Sequence, residues 1–453
     1  MNVVTSEPAP DTAGKWKQYA DYKDSGVQWV GRIPLHWQAR RLKFLASGRL
    51  KYGLSESGQC DNPAWPRFVR ITDMADDGSL RPDVFASLPP DKAKDHMLCN
   101  GDLLFARSGA TVGKTFQHRK KWGSCCFAGY LILCRPDTTS VDPDFLYLTT
   151  RSDAYSSWIR WALIQATIEN VSAEKYANFV LALPPLDEQR AIAAFLDRET
   201  AKIDALLSAK ERQIEFLREK RMAVISQALT KGLDPNVSLR DSHIEWLGTI
   251  PAHWEVRKLK RVGAVRYGLG QPPPEVVEGV PLIRATNVYR GTIQEAGLIY
   301  ISAADVPEGK NAVIRAGEII VVRSGAYTGD SAIVPEEYEG AIAGYDMVFT
   351  TLYGCGRYYA WQMLAPHVLD VQFYACRVRA AQPHLNAEEL QETLVLVPPT
   401  DEQCAIANFL DSETARVDAL TGKILEHIER LREYRTALVS AAVTGQIDVR
   451  EEV

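Results

Sequence analysis

One unit of about 215 residues is written twice along this chain, and that repeat constrains the fold more than any other feature. Residues 24–45 (DSGVQWVGRIPLHWQARRLKFL) return at 241–262 (DSHIEWLGTIPAHWEVRKLKRV) with 11 of 22 positions identical, which sets one end of the repeat. Residues 183–206 (LPPLDEQRAIAAFLDRETAKIDAL) return at 397–420 (VPPTDEQCAIANFLDSETARVDAL) with 17 of 24 identical, and the offset stays between 214 and 217 throughout. A duplicated unit has two copies of whatever it grips. Similar but unequal copies suit a partner with two similar but unequal faces.

At 453 residues the chain is too long for one core. Its 46% hydrophobic and 24% charged residues are those of an ordinary globular protein. The N-terminus is polar and lacks a signal peptide's apolar stretch. No run of apolar residues is long enough for a membrane span, so a cytoplasmic protein without membrane contact is expected. The eight cysteines form no C-x-x-C and have no histidine at metal-ligand spacing, which points to reduced thiols and no metal. A net charge of −5 argues against a simple polyanion binder. Binding uses a face, however, and basic runs exist. Arg40, Arg41, Lys43, Arg49 and Lys51 are matched by Arg257, Lys258, Lys260, Arg261 and Arg266, with another run at Lys114, His118, Arg119, Lys120 and Lys121. Any one such run is more often a solvated face, but the first recurs at the same place in both copies, which favours a shared role.

Both copies have the same order: a Trp/Pro anchor (Trp29, Pro34, Trp37; Trp246, Pro251, Trp254), a mixed stretch, a Pro-Pro hinge and a long helical segment. His36 and His253 belong to the anchors, where a packed or capping imidazole is expected. In the mixed stretches, LLFAR, LILC, EIIVVR and MVFTTL read as strands and 153–165 as a helix, so the globular parts are α+β. After the hinge, Asp187 and Asp401 are candidate N-caps, and Glu188 and Glu402 put negative charge in the first turn. A heptad-like seam follows at Ile203, Leu206, Ile214, Leu217 and Val224, matched by Val417, Leu420, Ile424, Ile428, Leu431 and Leu438, with Lys210, Arg221 and Arg435 as weak points. Gly232 and Gly445 stand where C-terminal caps belong. Gly422 costs its helix about 1 kcal/mol against alanine and is a place to bend.

Such a helix would be roughly 65 Å long and cannot stand alone. The matching stripe is its own repeat. Two antiparallel helices related by a pseudo-two-fold axis, with globular domains at opposite ends, are therefore expected; the alternative packs each helix on its own domain. The resulting layout is an N-terminal extension (1–23), a globular domain (24–185), a long helix (186–233), a second globular domain (234–399), a second long helix (400–446) and a tail (447–453).

Candidate catalytic chemistry fails position by position. RSGATVGKT (107–115) lacks the first glycine of a phosphate-binding loop, and the second copy, RSGAYTGDS (323–331), puts Asp330 where Lys114 stands. NPAW (62–65) misses a proline of the methyltransferase motif it approaches. No nucleophile context recurs in both halves. What recurs is Arg107-Ser108-Gly-Ala-Thr111 with Arg323-Ser324-Gly-Ala-Tyr327-Thr328, a glycine-bearing turn after a strand. Such a turn can approach a phosphate backbone, or simply join two strands. Tyr52-Gly53-Leu54 with Tyr267-Gly268-Leu269, Arg70-x-Thr72-Asp73 with Arg284-x-Thr286-Asn287, and Gly129-Tyr130 with Gly344-Tyr345 also recur. Between these landmarks the copies diverge, as expected for one frame reading two different things.

The Tyr-Lys-Asp-Ser-Gly-Val-Gln-Trp-Val-Gly-Arg-Ile-Pro-Leu-His-Trp stretch from Tyr22, the Arg-Ser-Gly-Ala turn, and Leu-Pro-Pro-Leu-Asp-Glu-Gln with its long helix resemble the specificity subunit of type I restriction–modification systems. The resemblance covers almost the whole chain, twice and in order. It implies two target-recognition domains joined by an antiparallel coiled coil, each domain reading one half of a bipartite double-stranded DNA site. It also implies docking of two adenine methyltransferase subunits that carry S-adenosylmethionine. Restriction endonuclease and translocase subunits using ATP and magnesium are implied as well. On this resemblance the chain itself binds no cofactor and has no catalytic residue. A self-contained restriction or methylation enzyme would need a cofactor motif that the chain lacks. A coiled-coil scaffold that binds only proteins would show no sequence-selective DNA shift.

Overall fold

The computed structural model describes residues 16–58, 61–75, 77–164, 170–307, 309, 311–374 and 384–452. Cys60, Cys376 and the first 15 positions of the expected N-terminal extension lie outside them. The chain divides into two compact units. One combines the described part of Met1–Glu211 with Leu425–Val453, and the other comprises Arg212–Ile424.

The same sheet is built in each unit. In the first, a four-stranded antiparallel sheet runs Lys51–Tyr52, Leu131–Cys134, Leu103–Ala106, Thr115–Gln117. In the second it runs Gly263–Tyr267, Met347–Thr351, Ile319–Val321, Ser331–Ile333. Its central strands are the apolar runs picked out in the sequence. They are apolar without alternation because both faces are covered. Leu103, Phe105, Ile132 and Cys134 enter a core shared with helices, while Leu104, Ala106, Leu131 and Leu133 enter a separate core on the other face. Ile319, Val321, Met347 and Phe349 against Ile320, Val322 and Val348 repeat the division. Beside each sheet lies a parallel pair, Arg67–Val69 with Cys125–Phe127 and Val280–Ile283 with Ile342–Ala343. The second unit extends its pair with Glu275–Val276 and Ile299–Ile301 and adds the hairpin Val288–Tyr289/Thr292–Ile293. The divergent stretches are therefore inserts on a shared frame.

The long helices span Leu186–Lys231 and Thr400–Val443. Asp187 and Asp401 are not their N-caps. The first helical bond runs from Gln189 N–H to Pro185 C=O (2.9 Å), and its counterpart from Gln403 N–H to Pro399 C=O (2.9 Å), which puts both aspartates inside the first turn. Glu188 and Glu402 do more than meet the helix dipole. Trp37 Nε1 donates to Glu188 Oε1 at 3.0 Å, Tyr19 OH to the same oxygen at 2.6 Å, and His36 Nε2 sits 2.8 Å from Oε2. Trp254 Nε1 donates to Glu402 Oε1 at 3.1 Å and His253 Nε2 lies 2.8 Å from Oε2. Gln189 and Gln403 donate to the carbonyls of Pro184 and Pro398, both at 2.9 Å. Each buried indole N–H needs an acceptor, and this is why Trp, His, Pro-Pro, Glu and Gln recur together.

The C-terminal end of the other helix reaches the same anchor. A Cβ on Gly445 would meet Pro34 and Trp37, and one on Gly232 would meet Glu402 and Trp254. Both glycines sit at positive φ (75° and 76°), so each ends its helix in a conformation that disfavours a side chain, and at Gly445 the space is closed as well. Residues 447–452 dock rather than trail: Ile447 and Val449 are buried, and Asp448 N–H donates to Lys17 C=O at 2.8 Å.

Within each unit the helix halves run antiparallel. Arg435 pairs with Asp204 (2.8 Å) and Arg432 with Glu211 (3.6 Å) in the first; Arg221 lies 3.4 Å from Asp418 in the second. The seam follows alternating steps of four and three: 203, 207, 210, 214, 217, 221, 224, 228 on one helix and 417, 421, 424, 428, 431, 435, 438, 442 on the other, all buried or half-buried. Leu206 and Leu420 do not belong to it; they are 52% and 41% exposed, and Leu207 and Thr421 take the seam positions. Each of them follows its predecessor by three where the heptad takes four. The alternative of helices packed on their own domains is realised over the N-terminal part of each helix, where Ile192, Phe195, Leu196 and Ile203 join the first unit's core and Ile406, Ala407 and Leu410 the second's. The second helix runs unbroken through Gly422.

Candidate nucleic-acid interface

The Arg-Ser-Gly-Ala turn is a tight hairpin loop in both units. Gly113 N–H donates to Ala106 C=O (3.0 Å) and Gly329 N–H to Val322 C=O (2.8 Å). Gly113 and Gly329, at φ 86° and 85°, also let a helical segment pack close, because a Cβ there would strike Ile159 or Phe373. These glycines are therefore accounted for by the turn and its packing. Asp330, which replaces Lys114, is buried and accepts from the main-chain N–H of Arg290 at 3.1 Å.

The arginine that opens the turn lies against a tyrosine. The Arg107 guanidinium is 4.8 Å from the centroid of the Tyr52 ring. Arg323 is 4.7 Å from Tyr267 and 4.5 Å from Tyr345. Tyr52 OH accepts from Ala173 N–H (3.0 Å) and Tyr267 OH from Ala387 N–H (2.9 Å), so the rings are pinned from behind. The neighbouring Gly53 and Gly268 let the chain pass the carbonyls of Ala128 and Gly344 at a distance no Cβ would permit. Three separate landmarks of the repeat thus converge on one spot in each unit. Arg107 and Arg323 remain half-exposed there, with Tyr130 and Tyr345 exposed beside them. Tyr130 and Tyr345 were visible as recurring Gly-Tyr pairs, but nothing in the sequence set them next to the arginines.

Other candidates have structural partners. Arg70 forms two bonds to the buried Asp73 (2.8 and 3.1 Å) and one to Val84 C=O (2.9 Å). Arg284 donates to Gly297 C=O at 2.7 Å, and the buried Asn287 donates to the carbonyls of Gln294 and Ala296. These residues clamp the bases of the divergent inserts, and of the three only Asn287, which is fully buried, is withdrawn from a DNA-facing surface. Thr328 is buried, its hydroxyl donating to Gly325 C=O at 2.7 Å. Thr72 and Thr286 are exposed, Tyr327 is exposed against Tyr289, and Ser108, Thr111, Lys114 and Ser324 are half-buried.

The basic runs are partly neutralised within the fold. Lys258 and Lys260 both bind Glu392, whose carboxyl they hold down at about 2. Arg266 pairs with Glu318 at 2.6 Å, and Arg119 with Asp144 at 3.1 Å. Beneath Arg323, burial pushes the Asp346 carboxyl up to about 6, opposed in part by the N–H groups of Arg323 and Ala285. Among the described residues, no helix is long and apolar enough to cross a membrane.

The model of the type I restriction modification DNA specificity domain matches this chain twice, at residues 67–215 and 251–430. The chain belongs to that family. Among curated relatives of this specificity chain is the putative type I restriction enzyme MjaX specificity subunit of Methanocaldococcus jannaschii, 24% identical over 93% of this chain and 96% of the relative. The type I restriction enzyme EcoKI specificity subunit of Escherichia coli is 20% identical over 76% of this chain and 75% of its own. A chain from a solved type I R-M system superposes with a TM-score of 0.71 at 16% identity, covering 92% of this chain and 99% of that one. The HsdS subunit of Thermoanaerobacter tengcongensis superposes at 0.55 with 17% identity, covering 92% and 98%. Two specificity domains in tandem, each a mixed sheet-and-helix unit, are thus the family's architecture in this chain. Its role is that of a type I specificity subunit.

Proposed function

We propose that each unit reads one half of an asymmetric, bipartite double-stranded DNA site, and that the paired helices fix the gap between the halves. The observation that carries this is the duplicated arginine stack, Arg107 on Tyr52 and Arg323 on Tyr267. A fixed guanidinium suits a DNA phosphate common to both half-sites. The unlike inserts that Arg70 and Arg284 clamp beside it supply the differing base contacts. Leu206 and Leu420 occupy equivalent positions of the repeat and are both exposed. Two equivalent apolar footholds suit two copies of one partner, the methyltransferase subunits, with S-adenosylmethionine bound by those subunits. Restriction subunits using ATP and magnesium join the same cytoplasmic complex, and this chain binds neither cofactor.

The test is a salt titration of DNA binding by the chain assembled with its methyltransferase. Arg107→Ala and Arg323→Ala should each weaken binding and lower the salt slope by roughly one phosphate contact. Unchanged affinity and slope in both variants would refute the role of the stack. A complex that shifts no DNA selectively would favour a protein-only scaffold.

A further inference from the structure

We infer that Tyr52 and Tyr267 are positioning residues for DNA recognition. Each ring holds its arginine in one pose, and each hydroxyl locks that ring to the main chain of a distant segment. This rests on the proposed role of Arg107 and Arg323 and specifies how the fold sets their geometry.

The observations come twice, from units that have diverged elsewhere. The ring-to-guanidinium distances are 4.8 and 4.7 Å, and the hydroxyl-to-N–H distances are 3.0 and 2.9 Å. The tethering residues, Ala173 and Ala387, lie 121 and 120 positions from their tyrosines. A surface arginine samples many rotamers, and ordering it on DNA would cost conformational entropy. Stacking on a ring restricts the guanidinium plane before DNA arrives, while its edge stays free to donate. Tyrosine fits the position because it has both a flat face and a hydroxyl that fixes that face in rotation. The two stacks also differ. Arg323 lies against two rings with its Nε 3.4 Å from His384 Nε2, whereas a single ring, that of Tyr52, lies against Arg107 among the described contacts. The second stack is therefore the less dependent on its pinned tyrosine.

The test is a double-mutant cycle on the chain assembled with its methyltransferase, reading affinity for target DNA by fluorescence anisotropy at several salt concentrations. Tyr52→Leu should weaken binding about 3- to 10-fold, Tyr52→Phe by less, and Tyr267→Leu by less than Tyr52→Leu. In an Arg107→Ala background, Tyr52→Leu should cause almost no further loss, because a positioning residue acts only through the group it positions. Tyr52→Phe retains the ring and serves for the same cycle if thermal unfolding shows Tyr52→Leu to be misfolded. Losses that simply add, with the salt slope unaltered by the tyrosine changes, would overturn the positioning role while leaving the arginines as contacts. Wild-type binding by Arg107→Ala would instead strike the proposed arginine contact itself.

Discussion

Replacing Glu188 by alanine should destabilise the first unit more than Glu402→Ala destabilises the second. Glu188 accepts hydrogen bonds from two buried donors, the Trp37 indole and the Tyr19 hydroxyl, and contacts the half-exposed His36. Glu402 accepts from one buried donor, Trp254, and contacts the half-exposed His253. A buried donor left without its acceptor costs about 1–3 kcal/mol. Glu188→Ala should therefore cost roughly 2–6 kcal/mol and Glu402→Ala roughly 1–3 kcal/mol. The lost histidine contacts add little, because water reaches both imidazoles. Hydrogen exchange read by mass spectrometry separates the two units, which one melting temperature does not. In Glu188→Ala, amides of 186–211 and 425–452 should lose protection; in Glu402→Ala, those of 212–231 and 400–424 should lose less. Equal losses, or a larger loss in the second variant, would refute the donor-counting reasoning.

Two further outcomes are expected. Ile214→Asp should cost several kcal/mol, because it buries a charge in the seam, whereas Leu206→Asp should change stability by no more than about 0.5 kcal/mol. Thermal unfolding checks both, and a large loss in Leu206→Asp would contradict the four-then-three register. The Asp346 carboxyl sits at about 6 because of burial, above its ordinary 3.8. A raised carboxyl pKa binds its proton more tightly when folded, so its stabilising contribution is complete below about pH 4 and lost as pH rises through about 6. Relative to Asp346→Asn, the wild-type chain should lose roughly 3 kcal/mol across that window. Parallel pH profiles in denaturant unfolding would contradict this.

The sequence revealed what repetition and periodicity encode: the two copies, the central strands and the extent of the long helices. It misplaced features that depend on one-residue register or on distant partners. Leu206 and Leu207 are equally apolar, so only the packed helix separates them. Asp187 is a good capping residue by type, but the first helical bond already starts from Pro185. Asn287 looks like a DNA contact by residue type, yet it is buried and its partners are the carbonyls of a following insert. The Tyr52–Arg107 stack joins residues 55 positions apart and was legible only as two separate recurrences.

The most direct test of two independent half-site readers is to exchange residues 46–182 for the matching segment of another family member. The hybrid is then co-expressed with the methyltransferase, and methylated adenines are mapped across the host genome. One half of the recognised motif should change while the other half and the gap stay as they were. Simultaneous change of both halves, or an unaltered motif, would contradict the account.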